Sequence, residues 1–221
     1  MESVKNSDDK GDKSMDLKSF NKISYGLYLI SSKFEEKQNG CIANTIIQVA
    51  SKPVKLSVAL SKDNLTTEII MKSGHFTATV LSQAVDMDVI GEFGFQTGKN
   101  IDKFAKFNAK VDGFGTKYIS ENMSAVFSCK VVGSIDVGSH IMFIGEVEES
   151  NTLSEQPVMT YEYYHQVKKG TTPKNSPSYQ TETKKVGYRC TICGYIEEVD
   201  VLPEGFICPI CRKPENYFEK I

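Results

Sequence analysis

Apolar residues along this chain fall into short blocks that alternate with polar ones, and most blocks have the length of a strand. Tyr25-Gly-Leu-Tyr-Leu-Ile-Ser-Ser32, Ile42 to Ala50, Val54 to Ser61 and Phe76 to Leu81 are rich in β-branched and aromatic residues and read as strands. Ala125 to Ile135 and His140 to Val147 continue the series, with Gly133, Gly138 and Gly145 as punctuation. Helical periodicity is confined to short pieces. Asp63 to Lys72 opens on a capping residue and stops at Gly74, Asp86 to Phe93 is a second helix, and Lys99 to Phe104 a third. Many strands with few short helices predict a mainly β fold, a closed or nearly closed antiparallel barrel.

The pattern changes at both ends. Met1 to Asp16 is rich in Lys, Asp and Ser and reads as a disordered tail. Residues 17–165 carry the strand pattern and have the size of one domain. Residues 166–185 hold Pro173, Pro177 and several Ser and Thr, with five lysines against the single acid Glu182. That composition reads as an extended linker, with a flexible-chain reach on the order of 25 Å. Residues 186–221 form a second, small unit.

Composition narrows the classes. The chain has 221 residues, 40% apolar and 24% charged, with a formal net charge of -2. This is an ordinary globular balance, and it argues against wholesale nucleic-acid binding. No stretch approaches the roughly 20 apolar residues that span a bilayer. The polar N-terminus lacks the apolar core of a signal peptide, so a cytoplasmic location is expected.

Four of the six cysteines, Cys190, Cys193, Cys208 and Cys211, fall in two C-x-x-C pairs separated by 14 residues. Two cysteines three apart on a tight turn aim both sulfurs at one ion, and two such turns complete a tetrahedral site. Gly194 follows the first pair and Pro209 stiffens the second. A unit this small buries too little surface to fold unaided, so a metal supplies the missing stability. Four thiolates suit zinc or a single iron. Disulfides or free thiols are the competing reading. Cys41 and Cys129 stand alone and read as buried small hydrophobes.

The large unit has fewer signals. Gly94-Phe-Gln-Thr-Gly-Lys99 is too short for a phosphate loop, and His75, His140 and His165 have no ligand spacing. Asn44-Thr-Ile-Ile-Gln48 sets amide and hydroxyl groups in an apolar strand, and Ser61-Lys-Asp-Asn-Leu-Thr-Thr67 opens a helix. A helix start surrounded by Ser, Asn, Thr and Lys suits an anion; capping plus a turn is the plainer alternative.

Tyr188-Arg-Cys-Thr-Ile-Cys-Gly-Tyr195 and Phe206-Ile-Cys-Pro-Ile-Cys211, with Tyr217 and Phe218, resemble the rubredoxin family in the short form found at the tail of rubrerythrins. The resemblance implies one redox-active iron on Cys190, Cys193, Cys208 and Cys211. Arg212 replaces the usual glycine, Phe206 stands where Trp is common, and the loop between knuckles is short, which keeps a zinc ribbon open.

Five ordered motifs resemble the flavin reductase-like family: Tyr25-Gly-Leu-Tyr28, Asn39-Gly-Cys-Ile-Ala-Asn-Thr-Ile-Ile-Gln48, Ser61-Lys62-x-Asn64-x-Thr66, Gly138-Ser-His140 with Phe143-Ile-Gly-Glu-Val147, and Tyr161-x-Tyr-Tyr164. Flavoredoxins and the flavin domain of high-molecular-weight rubredoxins are the nearest in look, helped by Lys169-Gly-x-x-Pro-x-x-x-Pro-x-Tyr179. The resemblance implies an FMN-binding Greek-key split β-barrel that pairs as a homodimer. It implies that Asn44, Thr45, Ile46 and Gln48 contact the isoalloxazine, and that Ser61, Lys62, Asn64, Thr66 and Thr67 hold the phosphate. Phe93, Phe95 and Lys99 would cover the flavin or reach it from the partner subunit, and His140 would lie on the nicotinamide side. The family's Gly-Asp-His is Gly138-Ser139-His140 here, which leaves the histidine's partner open.

Together the two resemblances imply an oxidoreductase in which NAD(P)H reduces FMN, and single electrons then pass to Fe(Cys)4 and to an acceptor such as a flavodiiron protein that reduces oxygen or nitric oxide. Two alternatives stand beside it: an electron carrier that binds no nicotinamide, and a flavoprotein with a structural zinc ribbon.

Overall fold

The computed structural model describes residues 16–168, 170–173, 176–178 and 186–221. The N-terminal tail expected over Met1 to Asp16 lies outside them except for Asp16, as do residues 169, 174–175 and 179–185 of the expected linker. A 3-10 turn over Leu17–Lys22 leads into β1 (Tyr28–Phe34), β2 (Lys37–Ala43), β3 (Ile47–Ser51) and β4 (Val54–Ser61). Next come α1 (Leu65–Ser73), β5 (His75–Leu81), α2 (Met87–Phe95), and the short strands β6 (Ala109–Val111) and β7 (Lys117–Ile119). Two long strands, β8 (Met123–Asp136) and β9 (His140–Thr152), and helix α3 (Tyr161–Gln166) complete the large unit.

Seven strands form one antiparallel sheet in the order β2-β1-β5-β8-β9-β4-β3, and β6 and β7 pair separately. The sheet curls. Ile30 of β1, Cys41 of β2, Leu56, Val58 and Leu60 of β4, Phe76 of β5 and Phe143 of β9 share one inner core, although β2 and β4 lie far apart in the ladder. Alternation sets the two faces: Ile30 points inward, while its neighbour Leu29 joins an outer core with Val89, Ile90 and Phe93 of α2. The result is a split barrel with α1 and α2 packed on β2.

Two expectations shift. The strand expected over Ile42 to Ala50 is broken, because Thr45 Oγ1 donates to the Ala59 carbonyl at 2.9 Å and accepts from the Ala59 N–H. The helix expected over Lys99 to Phe104 is a set of turns, in which Asp102 Oδ1 accepts from the Phe104 N–H at 2.9 Å. Such local side-chain bonds compete with helical ones.

The C-terminal unit is a three-stranded sheet, β10 (Tyr188–Cys190), β11 (Ile196–Glu197) and β12 (Phe218–Lys220), in the order β11-β10-β12. A 3-10 turn over Glu215–Tyr217 precedes β12. Its core is the four cysteines with Ile210. Among the described residues no helix is long and apolar enough to cross a membrane.

Candidate functional site

The cysteines come together. One Sγ from each of Cys190, Cys193, Cys208 and Cys211 lies within 4.8 Å of all the others, and all four residues are buried. The Cys190–Cys211 and Cys193–Cys208 sulfurs are 3.5 Å apart, too far for a disulfide bond of about 2.05 Å. Four ligands about 2.3 Å from one ion would sit about 3.8 Å from each other, so the donor set fits a tetrahedral metal. The crowded thiols titrate together as one set: those of Cys193 and Cys208 are pushed up, first through hydrogen bonding with Cys190, while that of Cys190 is held down, first through hydrogen bonding with Cys193.

The two knuckles share one turn. The Gly194 N–H donates to the Cys190 carbonyl at 2.9 Å, and the Arg212 N–H donates to the Cys208 carbonyl at 3.0 Å. Both residues have positive φ, 80° at Gly194 and 58° at Arg212. Arg212 therefore occupies a backbone position that favours glycine.

A cavity of about 780 Å³ opens beside this centre, within the range of cofactor pockets. One wall is the barrel: β2, the end of β4, the first turn of α1, the second half of α2 and the loop after it. The facing wall includes the first knuckle, from Arg189 to Gly194. Residues 171–173 and 176–177, part of the expected linker, close a third side. That segment is fastened at several points: Tyr164 Oη donates to the Thr171 carbonyl at 3.1 Å, Asn44 Nδ2 donates to Ser178 Oγ at 2.7 Å, and Tyr161 Oη bonds Thr172 Oγ1.

At one end of the cavity Asn64 caps α1, its Oδ1 accepting from the Thr66 N–H at 2.9 Å. Thr67 Oγ1 donates to the Ser61 carbonyl at 2.7 Å, and Asn39 Nδ2 donates to Thr66 Oγ1 at 3.0 Å, tying β2 to the helix start. Ser61 is paired across the sheet with His140. His140 is nine-tenths buried and lines the cavity; its Nδ1 lies 2.7 Å from Ser139 Oγ, and its Nε2 has no partner among the described residues. A buried ring nitrogen left without a partner awaits a polar atom from something bound.

Of the residues singled out in the sequence, Asn44, Ser61, Asn64, Phe93, Phe95 and His140 line this cavity. Thr66 and Thr67 are buried behind its floor. Five others do not reach the wall. Thr45 is spent on Ala59, and Ile46 packs against the inner core. Gln48 is exposed and donates to the Ala50 carbonyl. Lys99 is exposed, and Lys62 pairs with Asp136 at 2.7 Å on the surface.

Lys103, which no motif in the sequence marks, is a cation buried inside the barrel wall. It is 4% exposed, and its Nζ donates to the carbonyls of Gly40 at 3.1 Å and Phe93 at 3.3 Å. Burial lowers its pKa, partly offset by Cys41 and Glu92. The signal available was a lysine set between Asp102 and Phe104 after the aromatic block Phe93 to Phe95. Tyr161 and Tyr164 of the Tyr161-x-Tyr-Tyr164 motif anchor the third wall.

Comparison with known proteins agrees with both halves. The flavin reductase like domain model matches residues 20–172, and the rubrerythrin, rubredoxin-like domain model matches residues 188–219. The chain is 36% identical to the high molecular weight rubredoxin of Moorella thermoacetica, an alignment covering 94% of this chain and 100% of that one. It is 39% identical to the NAD(P)H ferric-chelate reductase of Archaeoglobus fulgidus, over 75% of this chain and 98% of that one. The structure of flavoredoxin from Methanosarcina acetivorans superposes with a TM-score of 0.54 at 18% identity, over 70% of this chain and 77% of that one, a likeness of fold. The chain belongs to the flavin reductase-like family, as an oxidoreductase whose flavin-binding split barrel is followed by a rubredoxin-like metal module.

Proposed function

We propose that this protein takes reducing equivalents from NAD(P)H into FMN in the barrel cavity and delivers them one at a time, through iron on Cys190, Cys193, Cys208 and Cys211, to a separate acceptor protein. The observation that carries this reading is the shared cavity: barrel residues such as Ser61 and His140 line one side, and Cys190 and Cys193 line the other. A flavin supplies two-electron acceptance with one-electron release, and a tetrathiolate iron exchanges single electrons.

The chain's own residues prepare that chemistry. The α1 start offers its positive end and the hydroxyl of Ser61 to the FMN phosphate, and Lys103, which lines the same cavity, supplies positive charge. Phe93 and Phe95 give an apolar side, and residues 171–173 and 176–178 with Tyr161 and Tyr164 keep water from the opposite side. Ser139 fixes the ring of His140 at the cavity wall. Alignment matters more than acid–base strength for hydride transfer.

The nicotinamide donor is proposed from the resemblance to NAD(P)H-linked relatives. A homodimer fits the apolar residues Ile47 and Val49 of β3, Val54 of β4 and Ile135 of β8, all more than two-fifths exposed. A cytoplasmic site fits six cysteines with no disulfide. The acceptor is proposed, by resemblance alone, to be a flavodiiron protein. Anaerobic mixing of the purified protein with NADH or NADPH tests the reading. Flavin bleaching followed by loss of the ferric-thiolate bands supports it, and a colourless zinc-loaded tail contradicts it.

A further inference from the structure

The metal module does not hang free from the barrel; it is seated on α2. Met87 and Phe95, at the two ends of that helix, pack against the cysteine cluster. Between them a Cβ on Gly91 would lie 2.7 Å from the Ile210 carbonyl oxygen and 3.3 Å from Cys211 Cα, so only a glycine lets the second knuckle come this close. Arg212, next in the chain, donates from Nε to Asp88 Oδ1 at 2.6 Å, one helical turn before Gly91. From the other side, Thr171 Oγ1 donates to the Cys193 carbonyl at 2.7 Å.

These contacts also explain the residue at position 212. Its φ of 58° suits glycine, and an arginine there is strained. The strain gains nothing inside the knuckle, whose turn needs only the N–H. What the side chain adds is the contact with Asp88.

We propose that the face of α2 formed by Met87, Asp88, Gly91 and Phe95 is a docking cradle for the metal module of the same chain, with Arg212 as its orienting latch. Docking the second knuckle on α2 turns the first knuckle, Arg189 to Gly194, toward the cofactor cavity. This rests on the flavin-to-iron reading above. Within it, each transfer would take one electron from the reduced flavin and convert ferric to ferrous iron; the acceptor protein would reoxidise the iron between two transfers, which together would reoxidise the flavin and release its protons to solvent.

The test uses the full-length, cofactor-loaded protein and two variants. Gly91→Ala places a methyl group against the Ile210 backbone while improving helix propensity, so α2 itself survives. Arg212→Gly removes the latch and relieves the backbone, so metal binding survives. Docking is read without turnover, as hydrogen–deuterium exchange of the amides of residues 87–95. Transfer is read by anaerobic stopped flow, as the rate of iron reduction after flavin reduction. We expect exchange to rise and iron reduction to slow by at least about tenfold in Gly91→Ala. A smaller change, about two- to fivefold, is expected in Arg212→Gly, because an exposed ion pair is weak. Flavin reduction by NAD(P)H should be no slower in either. Wild-type exchange and wild-type iron reduction in Gly91→Ala would overturn the cradle. If wild-type iron never reduces while the exchange result holds, the electron-transfer reading fails and the docking surface stands.

Discussion

His140 Nδ1 lies 2.7 Å from Ser139 Oγ, and this bond orients a buried imidazole at the cavity wall whose other nitrogen has no hydrogen-bond partner among the described residues. A serine thus stands in for the aspartate common at this place in the family, and it holds the ring without adding charge. Ser139→Ala should leave flavin content unchanged. It should slow flavin reduction by NAD(P)H about two- to tenfold, the weight of one ordinary hydrogen bond. Equal rates would show that the ring is held by packing alone.

The proposed phosphate end of the cavity distinguishes two lysines. Lys103 is buried in the wall, and Lys62 is paired with Asp136 outside it. Lys103→Met should weaken FMN by more than about tenfold, and riboflavin less, because only FMN carries the phosphate. Lys62→Ala should change FMN affinity by less than about twofold, since an exposed pair is worth little. The reverse ranking, measured by fluorescence titration of apoprotein, would move the phosphate toward Lys62.

Asn64 has a double role as the α1 cap and as part of the cavity. Asn64→Ala should cost about 1 kcal/mol of stability in chemical denaturation and also weaken FMN. Loss of stability with no loss of affinity would reduce it to a cap.

Cys129 is fully buried, and burial, then the nearby Asp112, pushes its thiol up to about 12. An acid whose pKa is higher folded than unfolded holds its proton longer in the native state, so stability falls as pH rises through the interval from about 9 to about 12. Cys129→Ala should flatten that decline and leave turnover intact. An unchanged slope of the denaturation midpoint against pH would assign the decline to other groups.

The metal module was the most legible part of the sequence, because C-x-x-C spacing states its geometry directly: Cys190, Cys193, Cys208 and Cys211 converge within 4.8 Å. The barrel strands were legible from alternation, as Leu56, Val58 and Leu60 facing one core illustrate. Less legible was anything that depends on which neighbour a polar group finds. Thr45 could bond a ligand or Ala59, and the sequence does not choose between them; the fold gives it Ala59. A lysine reads as surface by default, so the sequence does not separate buried Lys103 from exposed Lys62 and Lys99. Part of the stretch that composition marks as a linker, residues 171–173 and 176–178, is held to the cavity by Tyr164, Tyr161 and Asn44. Proline and threonine content says that a segment makes no regular element; it does not say what the segment touches.

In the proposed function, flavin and iron in one chain are filled in sequence from a nicotinamide. One anaerobic titration of the purified protein with NADH, then NADPH, followed by absorbance, with flavin and metal content measured on the same sample, tests it most directly. The account predicts one FMN and one iron per chain, with flavin bleaching first and the ferric-thiolate bands following. Zinc in the cysteine site, or flavin and iron that both stay oxidised with either nucleotide, would contradict it.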